Sequence, residues 1–147
     1  MDALQLLKED HDRLRQFFNH FRSSKDEGEH REIFEEIKKH LQTHSHVEEM
    51  LFYPAVQEFN ELEDLVDEAI EEHSKVADLL DDIDELNGEG ADIRSKMAEL
   101  IQNVEHHAQE EENEMFPKVR ELMDSGDLES LGKEIESEKN NYSPAAA

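Results

Sequence analysis

His44 and Glu48 stand four residues apart, and so do His107 and Glu111. On a helix, positions i and i+4 lie one above the other on the same face. Each pair therefore offers an imidazole and a carboxylate to one cation. A second Glu follows in both copies (Glu49, Glu112), and an aromatic-proline doublet closes each (Tyr53-Pro54, Phe116-Pro117). Two more histidines, His11 and His73, sit inside apolar stripes, between Leu7 and Leu14 and between Ala69 and Val76. Burying two carboxylates without a counter-cation costs on the order of several kcal/mol each. A metal centre accounts for His11, His44, Glu48, His73, His107 and Glu111 together.

The elements that must position these residues follow from the apolar spacing. Stripes of 3.6-residue period predict helices over about residues 2–22, 29–58, 61–86 and 91–123. The first carries Leu4, Leu7, Leu14, Phe18 and Phe21 behind Asp2, an N-cap type. Loop chemistry falls at residues 23–28 and at Asn87-Gly88-Glu89-Gly90. Pro54 and Pro117 lack an N–H and should kink the second and fourth helices. Leu128, Leu131 and Ile135 predict a short C-terminal helix, and residues 140–147 a frayed tail.

The chain also repeats itself. A shift of 62 lays Leu7, His11, Leu14 and Phe18 on Ala69, His73, Val76 and Leu80. A shift of 63 lays Leu41, His44, Glu48 and Pro54 on Val104, His107, Glu111 and Pro117. Two hairpins of one design predict an all-α fold, an antiparallel up-down four-helix bundle with a short C-terminal helix. Residues 1–124 would form the bundle and 125–147 the helix and flexible tail. The separations His11 to His44 and His73 to His107 are 33 and 34 residues, which sets all four imidazoles at a similar level along the axis.

Composition narrows the function. The chain has 147 residues and a formal net charge of −25, with 40 acids against 15 bases. Such a surface repels phosphate, which argues against nucleic acid and anionic membrane as partners. The absence of Cys excludes disulfides, thiolate metal sites and iron–sulfur clusters. With no apolar run of membrane-spanning length and no secretory leader pattern, the expectation is a cytoplasmic monomer or weak homo-oligomer.

Six donors exceed the needs of one tetrahedral zinc and suit two ions sharing both carboxylates. Each ion would see two His and two carboxylate oxygens, leaving positions for an oxo or hydroxo bridge and an exogenous ligand. Two iron ions are the first choice, with manganese or mixed metals open and dizinc less favoured. Ferritin-like diiron sites use Glu-x-x-His on paired helices; here that spacing occurs only at Glu27/His30, beside a loop. His106/Glu110 repeats the His-x-x-x-Glu spacing, but pairing them would break the register of Pro117 with Pro54.

These paired motifs resemble the hemerythrin-like (HHE cation-binding) family over roughly residues 2–123. The resemblance implies that His11, His44, His73 and His107 are terminal ligands and that Glu48 and Glu111 bridge two irons. Oxygen-carrying members have His-x-x-x-His on the third helix, and here the second position is Ala77. That departure implies a less constrained, more reactive iron than simple oxygen carriage needs. The expected function is binding or sensing of dioxygen or a related gaseous or peroxide ligand, including nitric oxide. The alternatives are a diiron oxidoreductase (peroxide or nitric oxide handling, iron-centre repair) and iron storage or delivery. His40 is expected to play a polar supporting role, and His20, His30 and His46 to lie on the surface. Glu49 and Glu112 are read as solvated or as replacement oxygens, and Phe18, Phe52, Met97 and Met115 as core.

Overall fold

The computed structural model describes residues 1–86 and 90–144, and among them it is all-helical with no strand. Helix α1 spans Ala3–Ser23 and starts on a reciprocal cap. Gln5 N–H donates to Asp2 Oδ1 and Asp2 N–H donates to Gln5 Oε1, both at 2.9 Å, which satisfies two end donors at once. Helix α2 spans Glu27–Val47. It begins earlier than the stripe predicts because Asp26 caps the Gly28 N–H at 3.0 Å.

The two prolines act differently from the expected kinks. A five-residue π turn precedes each, over Glu48–Phe52 and Glu111–Met115. Tyr53 N–H reaches back to the Glu48 carbonyl, and Phe116 N–H to that of Glu111. A proline ring crowds the carbonyl four residues back and brings no N–H; the wider turn relieves both. The helices resume as α3 (Tyr53–Gln57) and α6 (Phe116–Leu122). Each wide turn thus begins on one of the two candidate bridging glutamates and ends facing an aromatic ring.

A 3-10 turn, Asn60–Leu62, leads into α4 (Glu63–Glu85), and α5 spans Gly90–Glu110. The turn predicted at 87–90 falls on residues 87–89, outside the described residues, and Gly90 already opens α5. The C-terminal segment forms α7, Ser125–Asn141, 17 residues long. Residues 145–147 of the expected tail are outside the described residues.

Helix α1 packs along α2, and α4 along α5. The apolar interior falls into two clusters. One gathers Leu4, Leu7, Val47, Phe52, Ala69 and Met115; the other gathers Leu14, Phe18, Leu41, Val76, Met97 and Val104. Every long stripe passes from one cluster to the other, and its candidate ligand lies at the crossing. Helix α7 adds Leu128, Leu131 and Ile135 to the first cluster and lies on α1 and α2. The contact is close: a Cβ added at Gly132 would lie 2.6 Å from the Met1 carbonyl oxygen. No described helix is long and apolar enough to cross a membrane.

Candidate metal centre

The six predicted residues meet in one buried cage. His11, His44, Glu48, His73, His107 and Glu111 are each at most 8% exposed. Every imidazole turns Nε2 inward. His11 Nε2 lies 3.1 Å from Glu111 Oε1, and His44 Nε2 lies 3.2 Å from Glu48 Oε1. His73 Nε2 lies 3.0 Å from Glu48 Oε1 and 3.1 Å from His107 Nε2. His107 Nε2 lies 3.4 Å from Glu111 Oε2. The duplication survives in three dimensions: the rings of His11 and His44 stand 4.9 Å apart at 64°, those of His73 and His107 4.8 Å apart at 65°.

The donors fit a cation. His11 Nε2, His44 Nε2, Glu48 Oε2 and Glu111 Oε1 are buried and have no hydrogen-bond partner. Each such atom left unpaired costs about 1–3 kcal/mol, so lone pairs converging on a common space call for a positive guest. His11, His44, Glu48 and Glu111 each offer one atom to a set within 4.8 Å, and Glu48, His73 and His107 form a second. The chain is therefore built with His/Glu groups able to hold a metal.

The outer nitrogens are braced by carboxylates, an arrangement that fixes the tautomer and aims Nε2 at a metal. His11 Nδ1 meets Glu112 Oε2 at 2.7 Å, His44 Nδ1 meets Asp10 Oδ2 at 2.9 Å, and His107 Nδ1 meets Glu72 Oε1 at 2.8 Å. Glu112 is thus not free in solvent: it is largely buried against the outer nitrogen of His11. His73 is the exception. Its Nδ1 has no hydrogen bond, and Glu49 Oε2 stands 3.5 Å away.

Charge follows from this packing. Burial pulls the His44 imidazole toward neutrality, but Glu48 and Asp10 outweigh it and raise its pKa to about 10. His11 is likewise raised, against burial, by Glu111 and Glu112. Glu48 would be raised by burial, yet His44, His107 and His73 hold it well below the usual carboxylate range.

One member was missed by sequence reasoning. The buried Tyr53 hydroxyl donates to Glu111 Oε2 at 2.6 Å and lies 3.1 Å from Glu48 Oε1 and 3.2 Å from His73 Nε2. Burial and the charges of Glu111 and Glu48 raise its pKa well above the ordinary phenol value. The signal that could have found it is its repeat mate, Phe116, which stacks on His11 with centroids 6.2 Å apart. A Tyr facing a Phe across a duplication marks where the two halves differ.

The other histidines divide differently from expectation. His30 is buried, not on the surface: its Nε2 bonds the Ser24 carbonyl at 2.7 Å and its ring stacks on Phe21. His40 packs on Phe17, with ring centroids 5.0 Å apart, and none of the described hydrogen bonds joins it to the cage. His106 is 63% exposed, while its neighbour His107 faces inward. Leu14, Leu41, Val76, Val104 and Ala108 wall an apolar chamber of about 20 Å³ against the imidazoles, space for a single water-sized molecule.

A family model described as "Hemerythrin HHE cation binding domain" matches residues 2–119. The crystal structure of a hemerythrin HHE cation binding domain-containing protein from Mycobacterium kansasii superimposes with a TM-score of 0.82 at 25% identity. The match covers 96% of this chain and 86% of that one. No curated protein sequence matches the chain.

Proposed function

The chain belongs to the hemerythrin HHE cation-binding family, and from that premise we propose a non-haem diiron protein that binds or senses a small neutral molecule. The arrangement we favour is an antiparallel up-down four-helix bundle over residues 1–124, with α7 as an appended helix. In this reading His11, His44, His73 and His107 would hold the irons through Nε2, and Glu48 and Glu111 would be the carboxylates shared between them. Tyr53 stands on the His73/His107 side as a protonated hydroxyl hydrogen-bonded to Glu111. The observation that carries this reading is the set of buried, unpartnered nitrogens and oxygens at the cage centre.

When bound, a diiron pair supplies open coordination positions and reversible redox change at which dioxygen or nitric oxide can bind. The protein's own groups do the rest. Asp10, Glu72 and Glu112 hold their imidazoles in one tautomer. The apolar walls of the chamber against the imidazoles leave room for a single small molecule. Tyr53 keeps a proton 2.6 Å from Glu111. Addition of dioxygen or nitric oxide to the anaerobic, iron-loaded protein should give a stoichiometric optical change. An unaltered spectrum would dismiss the proposal.

A second reading, a metal-centred oxidoreductase acting on peroxide or nitric oxide, is favoured by that phenolic proton beside a carboxylate. Peroxide turnover well above free iron, falling at least tenfold in Tyr53→Phe, supports it; binding without turnover removes it.

A further inference from the structure

Glu72 has two faces. Its Oε1 braces the buried His107 Nδ1 at 2.8 Å, while its Oε2 points outward to His106 Nε2 at 3.5 Å. The same imidazole nitrogen lies 3.0 Å from Glu110 Oε1. His106, Glu72 and Glu110 each place a ligand atom within 4.8 Å of the others. His106 and Glu110 stand one turn apart on the outer face of α5, open to solvent.

The internal duplication says independently what belongs there. Asp10 is the repeat mate of Glu72, and its Oδ2 braces His44 just as Glu72 braces His107. The outer oxygen of Asp10 is held by a cation, the Lys139 ammonium supplied by α7. Thr43 and Val47 occupy the positions matching His106 and Glu110. Thus one half neutralises its bracing carboxylate with a lysine. In the other half no described lysine meets Glu72, and an imidazole and a second carboxylate stand around the equivalent oxygen.

We infer that His106, Glu110 and the outer oxygen of Glu72 form an exchangeable surface site for a divalent transition-metal ion, standing where Lys139 stands in the other half. One imidazole and two carboxylate oxygens suit Fe²⁺, Mn²⁺ or Zn²⁺, with solvent completing the sphere. Because Glu72 touches both the outer ion and His107, the site is a docking station from which metal passes to the cage. That last role rests on the diiron reading above; the site itself does not.

Mn²⁺ titrated into the iron-loaded, dialysed protein tests it, with the electron paramagnetic resonance signal of free Mn²⁺ as the readout. One equivalent should bind at least tenfold more tightly than the remaining acidic surface. His106→Gln and Glu110→Gln should each abolish that equivalent. His20→Gln, which removes another exposed His beside a carboxylate (His20 to Glu29, 2.8 Å), should keep it. Equal binding by all variants would mean diffuse attraction to an acidic surface and would overturn the site. Cage loading from dilute Fe²⁺ should slow several-fold in His106→Gln at unchanged final iron; an unchanged rate would overturn the docking role. Should the cage take up no iron while Mn²⁺ still binds at His106, the diiron reading falls and the surface site stands.

Discussion

The two halves of the cage share a plan and differ in how tightly they are held. In the α1/α2 half, Glu112 braces His11 and is itself gripped by Arg15 at 3.0 Å, while Asp10 braces His44 under the Lys139 of α7. In the α4/α5 half the residue matching Arg15 is Ala77, and among the described ion pairs no Lys or Arg meets Glu49. That carboxylate is 47% exposed, and the His73 Nδ1 it faces stays unbonded. The same half carries Tyr53 where the other carries Phe116. A duplicated cage is thus differentiated by its supports: the imidazoles of one half are held by braced carboxylates, while the other half leaves His73 Nδ1 unbonded and carries a hydroxyl.

The largest effect expected is from Glu48→Ala, which removes the carboxylate shared by both halves. Elemental analysis should find the bound metal lost from the whole cage; partial retention would mean that the halves are independent. Next, Gly132→Ala forces a Cβ against the backbone of Met1, Asp2 and Ala3, where no flexible side chain can give way. Overpacking of this kind costs about 1–3 kcal/mol, readable as a lower midpoint in urea denaturation. The bracing carboxylates come third. Asp10→Asn and Glu72→Gln should each lower metal affinity roughly 10- to 100-fold, in competition titrations with a chelator, with Asp10→Asn loosening the position near His44.

A broader change is expected with pH in the metal-free protein. His44 is raised from 6.5 to about 10 in the fold, so its contribution to stability is complete below about pH 6.5 and is lost as pH climbs toward 10. Glu48 is shifted the other way, so its contribution is present above about pH 4.5 and fades below it. Thermal melts of the metal-free chain should therefore peak in mildly acidic solution, and Asp10→Asn should flatten the alkaline limb. The smallest effect belongs to Glu49→Gln. Its partner is unbonded, so metal affinity should change less than about threefold, well short of a working brace; a larger loss would erase the distinction between the halves.

Much of this was legible from residues alone because the helical period and the duplication speak at the same positions. A histidine flanked by Leu7 and Leu14, repeated 62 residues on between Ala69 and Val76, can only face inward on a helix. Asp10 and Glu72 stand at matching positions of the repeat, just before His11 and His73, yet each braces the histidine of the neighbouring helix, His44 or His107, a pairing that spacing along one helix does not reveal. The π turns were not legible, since the proline announces a disturbed turn but not whether it bends or widens. His30 was misplaced because its partner is a carbonyl in the turn after α1, outside any stripe.

The amino-acid order by itself determined the helices, the inward rows and the six donors, since these depend on local period and on the cost of burying charge. Only the folded chain decided which nitrogen of each imidazole faces the centre, that a tyrosine joins one half, and that α7 lends its lysine to the other. Those outcomes rest on contacts between residues up to 129 positions apart. Spacing along one helix carries no information about side chains that approach it from another.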